Sequence, residues 1–272
     1  MSKNLNREGL KSIVENYDLF FIDLWGVVHN GIKLHDKAIE ALYKITEAKK
    51  KYVLLTNAPR PNSAVKIFLE KMNMDKNILE KVYTSGEAAL SYLKKNYLKE
   101  TFYHIGPPRD FDLFLDFKKN RTENINDSVY FLCTGLFDNY DQDLNYYKKL
   151  LNGFISKKMI CTNPDLIVDR GEKREFCAGS VAMIFEKMGG KVVYFGKPFP
   201  EVYNQSTDNN NKKILAIGDN LNTDIKGANL LNYDSMIITN GIHKKEITEY
   251  GIEKVCKKYE VLVNFTQSEL KW

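Results

Sequence analysis

The sequence predicts an α/β fold with a parallel β-sheet, and three observations support this prediction. Apolar runs of strand length alternate with segments whose apolar residues recur at helical spacing, as in parallel sheets with right-handed crossovers. Four of the predicted strands are followed by polar side chains that suit a single site. A long interval separates the second of these four strands from the third, which indicates an additional α/β layer.

The composition is that of a globular protein larger than a typical single domain. The chain has 272 residues, of which 43% are hydrophobic and 12% aromatic, so one large domain or two unequal domains are expected. Its net charge of +5 comes from 40 basic and 35 acidic residues that are spread along the whole length. Because the chain has no dense basic block, we predict no nucleic-acid partner.

The cysteines and histidines indicate neither a disulfide framework nor a metal site of their own. The four cysteines lie far apart without a C-x-x-C pair, and the four histidines lack metal-ligand spacing. Reduced thiols are typical of a cytoplasmic protein, which is the location that we expect. The polar segment 1–16 and the interrupted apolar run after it predict no signal peptide and no membrane span.

The first predicted strand is an apolar run that ends in a carboxylate. Residues 17–22 are rich in aromatic and branched side chains, Asp23 follows them, and Gly26 and Gly31 break the pattern. Ligands of open α/β sheets bind beyond the carboxyl ends of the strands, so Asp23 would face a site. Alternatively, Asp23 only caps the strand or a turn, as short carboxylates often do.

The following elements continue the alternation of helices and strands. In chain order the sequence predicts a helix from Asp36, a strand over 52–57, a helix from Pro61, a strand over 82–84 and a helix over 86–95. A further α/β block has strands near 101–105, 128–132 and 159–161 and helices near 141–155 and 174–187, and a last strand covers 235–239. The strand over 52–57 ends in Thr56 and Asn57, which supply a hydroxyl and an amide.

Two later strands are followed by charged side chains. A short strand over 192–195 precedes a turn that presents Lys197, and a strand over 213–218 is followed by Asp219, with Asp224 five residues further on. No P-loop and no G-x-G-x-x-G segment occurs, so neither nucleotide-binding fold is indicated.

The polar groups at these four strand ends would form one site, because parallel strands bring their carboxyl ends to the same edge of the sheet. They are Asp23, Thr56, Asn57, Lys197, Asp219 and Asp224. Three carboxylates with a lysine, a hydroxyl and an amide suit a phosphoryl group bound with Mg²⁺. The hard cation takes oxygen ligands, and the other groups neutralise and orient phosphoryl oxygens.

In order and residue type the four segments resemble the motifs of the haloacid dehalogenase (HAD)-like hydrolases. Asp23-Leu24-Trp25-Gly26-Val27 is similar to the first motif, Thr56-Asn57 to the second, Lys197 to the third, and Gly218-Asp219 with Asp224 to the fourth. The Thr-Asn pair, the Gly-Lys-Pro turn and the turn Thr162-Asn163-Pro164-Asp165 resemble class IIA, the type of the p-nitrophenyl-phosphatases and the sugar- and nucleotide-phosphatases.

The resemblance implies a Rossmann-like three-layer core with a parallel sheet plus an inserted α/β cap domain. It places the core in residues 1–83 and 191–272 and the cap in residues 84–190. Such an insertion accounts for the interval between Asn57 and Lys197, which is several times longer than the roughly 30 residues of one crossover unit. Because the caps of class IIA relatives often contribute to dimer contacts, a homodimer is an open expectation.

The resemblance also implies residue roles in the hydrolysis of a small phosphorylated metabolite. Asp23 would attack phosphorus and form an aspartyl-phosphate. Thr56, Asn57 and Lys197 would bind the phosphoryl oxygens, with Thr56 and Lys197 also counted as catalytic. The Mg²⁺ ligands would be Asp23, the backbone carbonyl of Trp25, Asp219 and Asp224, and Asp224 would alternatively orient Lys197. In the cap, Asn163, Asp165 and Arg170 would contact the substrate, or the Asn-Pro-Asp segment would only form a turn.

Trp25 departs from the family pattern, in which a second aspartate two residues after the nucleophile protonates the leaving group and then activates water. An indole N–H donates hydrogen bonds but does not exchange protons near neutral pH. General acid–base catalysis contributes on the order of 10² to 10⁴ in rate, so this loss would weaken turnover. Trp25 would either pack under the cap or stack on a ligand ring. His29 would either replace the missing acid or have no role in proton transfer.

Two functions therefore compete. The leading hypothesis is a Mg²⁺-dependent phosphatase, and the alternative is a catalytically impaired phosphometabolite-binding or regulatory protein. Carbon–halogen cleavage is a third and weaker hypothesis, because the metal-independent dehalogenases do not need the carboxylates that Asp219 and Asp224 provide.

Overall fold

The computed structural model describes residues 2–170 and 173–272, and in these residues fourteen strands form three sheets. In chain order the strands are β1 (Lys3–Asn4), β2 (Leu19–Ile22), β3 (Lys51–Thr56), β4 (Val82–Thr84), β5 (Phe102–Ile105), β6 (Arg121–Thr122), β7 (Tyr130–Cys133), β8 (Lys158–Cys161), β9 (Ile167–Arg170), β10 (Lys173–Phe176), β11 (Lys191–Tyr194), β12 (Ile214–Gly218), β13 (Asp234–Ile238) and β14 (Phe265–Gln267).

Ten α-helices connect and cover these strands in the described part of the chain. They are α1 (Asp36–Glu47), α2 (Asn62–Glu70), α3 (Lys76–Leu79), α4 (Ser85–Asn96), α5 (Leu144–Leu151), α6 (Ala178–Lys187), α7 (Pro200–Ser206), α8 (Lys226–Leu230), α9 (Lys244–Tyr250) and α10 (Ile252–Tyr259). Segments of 3₁₀-helix cover Leu10–Ser12, Val14–Asn16, Pro108–Asn120, Ile125–Asp127 and Asp138–Tyr140, and a π-helical turn covers Leu221–Ile225. Among the helices so described, none has the length and apolarity needed to cross a lipid bilayer.

The largest sheet, here called the core sheet, has seven parallel strands in the order β1-β14-β13-β12-β2-β3-β4. Strand β2 lies between β12 and β3, with Ile22 paired to Ile217 on one side and to Leu54 on the other. The carboxyl ends of these three strands are therefore neighbours. The predicted α/β fold with a parallel sheet is confirmed.

Both faces of the core sheet are buried, which explains the unbroken apolar run of the first strand. Successive side chains of a strand point to opposite faces. In β2, Phe20 and Ile22 join one hydrophobic cluster with residues of α1 and α2, while Leu19 and Phe21 join another with residues of α4 and α7. A strand covered on both faces is apolar at every position.

A second parallel sheet has five strands in the order β11-β8-β7-β5-β6, and all of them lie between β4 and β12 in the chain. Buried residues of α5 and α6 pack against this second sheet. Strands β9 and β10 form a separate antiparallel pair, the β9–β10 hairpin. The last strand of the second sheet, β11, lies just after the boundary at residue 190 that the sequence predicts for the cap. The division into core and cap stays a prediction.

Three local predictions differ from the structure. The strand before Lys197 was expected in the same sheet as the other site strands, but β11 pairs with β8 of the second sheet. That run is too short for its pattern to indicate which sheet it joins. The helix predicted from residue 174 begins at Ala178, because residues 173–176 pair with β9.

The helix predicted over 141–155 covers only Leu144–Leu151. Asp143 caps its start by accepting hydrogen bonds from the backbone N–H groups of Asn145 and Tyr146. The helix ends before Gly153, which has a φ of +88° that interrupts a right-handed helix.

Candidate active site

Asp23 lies at the carboxyl edge of the core sheet, as predicted. Its backbone N–H donates to the Ile217 carbonyl at 2.9 Å, which extends the ladder between β2 and β12 by one residue. The residue is only 8% exposed, although a carboxylate is costly to bury without partners.

Lys197 provides the partner that Asp23 needs. Its Nζ donates to Asp23 Oδ1 at 2.6 Å and to Asp224 Oδ1 at 2.7 Å, and the lysine is 4% exposed. Burial alone would lower the pKa of Lys197, but the charges of Asp224 and Asp23 outweigh it and raise that pKa well above its usual value. The lysine is therefore a permanent cation between two carboxylates.

Asn57 holds the turn that carries Lys197. Its Oδ1 accepts from the Lys197 backbone N–H at 2.7 Å, and its Nδ2 donates to the Lys197 carbonyl at 3.0 Å. The amide thus attaches a turn that follows the second sheet to the end of β3 in the core sheet. Thr56 is buried beside it and lines the same cleft, and its Oγ1 accepts from the Ala58 N–H at 3.3 Å.

Asp219 and Asp224 complete an acidic group after β12. Asp219 Oδ2 accepts from the Ile242 N–H at 2.9 Å, and Asp224 Oδ2 accepts from the Asn220 N–H at 3.1 Å. The π-helical turn after β12 contains Asp224, and such turns often occur at functional sites.

Two glycines allow this close packing of carboxylates and backbone. A Cβ on Gly218 would lie 2.0 Å from Asp224 Cγ. Gly26 has a φ of +84°, and a Cβ there would lie 2.1 Å from Asp219 Oδ2. Both glycines belong to the motifs that the sequence identified.

One carboxylate oxygen from each of Asp23, Asp219 and Asp224 lies within 4.8 Å of the others. Burial raises the pKa of Asp23 to about 8, although Lys197 opposes the shift. Burial, reinforced by the charges of Asp23 and Asp224, raises the pKa of Asp219 well above its usual value. A single lysine does not balance these carboxylates, so the chemistry of the site fits a hard divalent cation with oxygen ligands.

Trp25 joins the loop after β2 to the β9–β10 hairpin. Its indole Nε1 donates to the Asp169 carbonyl at 2.7 Å, and the Arg170 guanidinium lies 4.9 Å from the ring centroid. Gly31 leaves the space that the indole ring occupies, since a Cβ there would lie 2.5 Å from it. The indole lines the cleft and packs against the hairpin.

His29 is 3% exposed and lies with its ring against those of Trp25 and Phe68. Its Nδ1 accepts from the Gly31 N–H at 2.9 Å, which assigns the ring proton to Nε2. Burial, with further contributions from His35 and Arg170, lowers the pKa of His29 to about 4. The histidine is neutral at pH 7 and has no proton to donate as an imidazolium.

The Asn-Pro-Asp turn reaches the site mainly through Asp165. Its Oδ1 accepts from the side-chain amides of Asn57 at 3.2 Å and Asn220 at 3.4 Å. Burial raises the pKa of Asp165 to about 6, against the opposing charge of Lys197. Asn163 lines the cleft, but its Oδ1 accepts from the Asp165 N–H at 3.0 Å and so stabilises the turn. Arg170 pairs with Glu175 at 3.4 Å besides contacting Trp25.

Sequence reasoning missed a second connection, which joins the β9–β10 hairpin to the loop after β13. Arg174 forms a bidentate pair with Asp169 at 2.7 and 2.9 Å, and its Nη2 donates to the Ile242 carbonyl at 3.3 Å. A weak signal existed, because β-branched Ile167 and Val168 precede a polar stretch with a glycine, as in many hairpins.

These residues surround a cleft of about 1250 Å³. The core sheet supplies its acidic floor, and the β9–β10 hairpin and loops of the second sheet supply much of its wall. Such a volume accommodates a small organic molecule with a charged group.

Two family profiles match the chain. One, described as haloacid dehalogenase-like hydrolase, matches residues 20–117. The other, described as HAD-hydrolase-like, matches residues 194–266, so that the two segments together span more than half of the sequence and include all four motifs. The chain belongs to the HAD-like hydrolases. The family that the motifs predicted is confirmed, while no functionally curated protein matches the sequence.

Solved structures of HAD-like proteins resemble the chain over nearly its whole length. A haloacid dehalogenase-like hydrolase from Brucella suis is 28% identical with a TM-score of 0.79, over 96% of this chain and 98% of that one. A possible sugar phosphatase from Cytophaga hutchinsonii is 19% identical with a TM-score of 0.76, over 97% and 98% of the two chains. A 4-nitrophenylphosphatase from Thermotoga maritima is 22% identical with a TM-score of 0.71, over 95% and 96%. The latter two show that the chain shares its fold with these two proteins.

Proposed function

We propose that this HAD-like hydrolase is a Mg²⁺-dependent phosphatase that hydrolyses a small phosphorylated metabolite through an aspartyl-phosphate on Asp23. The observation that carries the proposal is the contact of Lys197 with both Asp23 and Asp224 beside Asp219, at the carboxyl edge of the core sheet. Distant segments of the chain thus deliver a nucleophile, a cation and metal ligands to one cleft.

Asp23 acts as the nucleophile in this proposal. One of its oxygens is engaged by Lys197, and no hydrogen bond from the described residues occupies the other. That oxygen attacks phosphorus, while Lys197 and the Thr56 hydroxyl neutralise and orient the phosphoryl oxygens as negative charge redistributes. Asn57 positions Lys197 by binding its backbone N–H and C=O. The contact of Asn57 with the phosphoryl oxygens stays a prediction.

The metal would be held by Asp23, Asp219 and the backbone carbonyl of Trp25. Asp224 was also predicted as a ligand, but its two oxygens contact Lys197 and the Asn220 N–H, so we assign it mainly to positioning the lysine. When bound, Mg²⁺ supplies positive charge for the phosphoryl oxygens. The Ile242 N–H orients Asp219 for this role.

The size of the substrate follows from the cleft. We assign the second sheet and the β9–β10 hairpin to a cap that covers the site, with Asp165 and Asn163 facing the part of the substrate beyond the phosphoryl group. The neighbours described as nitrophenyl and sugar phosphatases support a small phosphorylated substrate. A homodimer and a cytoplasmic location stay predictions.

A screen of phosphorylated metabolites and 4-nitrophenyl phosphate tests the proposal. Phosphate release should require Mg²⁺, stop with EDTA and be abolished in Asp23→Asn. Asp18→Asn is a matched control, because Asp18 is an exposed carboxylate just before β2, at the opposite end of the strand from the site. Full activity in Asp23→Asn would contradict the proposal.

A phosphometabolite-binding protein with little turnover is the second candidate, and Trp25 is the observation that favours it. Isothermal titration with the same ligands distinguishes the two functions. Saturable Mg²⁺-dependent binding without phosphate release would support the binding protein, whereas rapid release would exclude it.

A further inference from the structure

The residue two positions after Asp23, at the start of the loop beyond β2, is not an acid. Trp25 is the nearest candidate by sequence, but its one N–H donates to the Asp169 carbonyl at 2.7 Å. An indole does not release that proton near neutral pH. The residue therefore holds the hairpin and does not serve as an acid.

His29 does not take over this function. It is buried with its Nδ1 accepting from the Gly31 N–H, and its ring packs against Trp25 and Phe68. A proton donor must come within hydrogen-bond reach of the departing atom, whereas the contacts of this ring are with Trp25, Phe68 and the Gly31 N–H.

The ionisable groups that contact Asp23 and Lys197, or lie beside them, have partners of their own. Lys197 keeps its ammonium between two carboxylates. Asp219 accepts the Ile242 N–H and Asp224 accepts the Asn220 N–H, and the same Asp165 oxygen accepts from two side-chain amides. Asp219 would bind the metal and Asp224 holds Lys197, so neither is free to protonate a leaving group.

Bond changes in the first step must then occur without proton transfer to the leaving group. The Asp23 oxygen forms a bond to phosphorus, the bond from phosphorus to the substrate oxygen breaks, and the leaving group takes the electron pair away as an anion. In the second step the oxygen of a water molecule forms a bond to phosphorus, and the bond between phosphorus and the Asp23 oxygen breaks. Its electron pair returns to the Asp23 carboxylate, and the proton from water leaves with the phosphate or enters solvent.

We propose that the site selects phosphates whose leaving group is stable as an anion, such as acyl phosphates, enol phosphates and phosphates of acidic phenols. This inference rests on the proposed phosphatase function. A carboxylate leaving group has a conjugate-acid pKa of about 4 and a simple phenol about 10, whereas an alcohol is far more basic and needs a general acid. Phosphoryl-transfer transition states are largely dissociative. Without a general acid, the rate of phosphoryl transfer therefore depends steeply on the basicity of the leaving group.

The test is the dependence of kcat/KM on leaving-group basicity in the full-length enzyme with Mg²⁺. Substrates are acetyl phosphate, a series of aryl phosphates with leaving groups of increasing basicity, and glycerol phosphate as the alkyl member. We expect kcat/KM to fall by about 10³-fold or more from the most to the least activated aryl phosphate, with acetyl phosphate hydrolysed and glycerol phosphate nearly inert.

Two variants separate proton transfer from packing. Trp25→Asp should flatten the dependence and raise alkyl-phosphate hydrolysis by about 10²-fold relative to Trp25→Phe, which should keep the steep wild-type dependence. Mass spectrometry of acid-quenched samples gives a second readout, because the wild-type phosphoenzyme should form with acetyl phosphate and not with glycerol phosphate.

The possible outcomes separate the two proposals. A shallow dependence in the wild type, or glycerol phosphate hydrolysed as fast as acetyl phosphate, would overturn the leaving-group inference and leave the phosphatase proposal standing. Failure to hydrolyse even the most activated aryl phosphate, with no phosphoenzyme formed, would overturn the phosphatase proposal and this inference together.

Discussion

The indole of Trp25 donates a hydrogen bond to the backbone carbonyl of Asp169 at 2.7 Å. This contact joins the loop that follows β2 to the β9–β10 hairpin across the cleft. Trp25 therefore has a structural partner, and that partner explains why a large aromatic residue occupies a position two residues after Asp23.

Replacement of Trp25 by phenylalanine should destabilise the protein modestly. The ring face under Arg170 is retained, but the Asp169 carbonyl loses its donor, which costs about 1 kcal/mol. Urea unfolding measures the difference. Trp272→Phe controls for the loss of an indole elsewhere, and an unchanged stability in Trp25→Phe would contradict a role for the hydrogen bond.

Arg174 should couple the hairpin to Asp219, which we propose as a metal ligand. It donates to the Ile242 carbonyl, and the N–H of Ile242 holds Asp219 Oδ2. We expect Arg174→Gln to weaken Mg²⁺ affinity by about 1 kcal/mol, or roughly fivefold, as measured by calorimetry.

Lys173→Gln is the matched control for Arg174→Gln. Lys173 lies on the same strand, but it pairs with Asp141 and Glu175 and not with Ile242. The ion pairs of Lys173 and of Arg174 are both exposed, so neither substitution should change the free energy of unfolding by more than about 1 kcal/mol. Equal Mg²⁺ affinities in the two variants would show that Arg174 has no positioning role.

Asn57→Ala should reduce both stability and activity. The substitution removes the amide that binds the backbone N–H and C=O of Lys197, at a cost of about 2 to 3 kcal/mol. Asn62→Ala is a suitable control, since the Asn62 side chain accepts from the Thr84 N–H away from the site. The positioning role would be supported if both variants were destabilised to a similar extent and only Asn57→Ala lost kcat/KM. An equal loss of kcat/KM in both variants would oppose it.

The metal-free protein should lose stability as the pH rises from 6.5 to 8. The folded pKa values of Asp23 and Asp219 lie above their unfolded values, so the folded state binds more protons in this window. Each extra proton lowers the free energy of unfolding by about 1.4 kcal/mol per pH unit. Below pH 6.5 the lowered pKa values of His29 and His104 have the opposite effect, because there the unfolded state binds more protons at these histidines and stability rises with pH.

Urea unfolding in EDTA at the two pH values measures this slope. Saturating Mg²⁺ should reduce it, because the ion competes with protons for the carboxylates. Asp219→Asn should also reduce it, whereas a metal-free slope that is flat or positive in the wild type would contradict the charge balance described for the site.

The core sheet and the family were accessible from the sequence because their signals are local. Strand β2 is apolar at every position, which follows from burial on both faces, and the polar groups after β2, β3 and β12 lie at neighbouring strand ends. The motif glycines Gly26 and Gly218 stand where Cβ atoms would collide with site carboxylates.

The arrangement around Lys197 was less accessible, because it depends on long-range packing. Strand β11 belongs to the second sheet, and Lys197 reaches the site because Asn57 binds its backbone. The contact of Trp25 with the β9–β10 hairpin joins residues 144 positions apart, and no periodicity in either segment encodes such a contact.

The most direct test of the account is to trap the phosphoryl group on Asp23. Enzyme mixed with Mg²⁺ and an activated acyl or aryl phosphate is quenched in acid within the first turnover, digested, and analysed by mass spectrometry. We predict one phosphoryl group per chain on the peptide that contains Asp23 and none in Asp23→Asn. Hydrolysis with no phosphoenzyme at any quench time, or a phosphoryl group on another residue, would contradict the central claim.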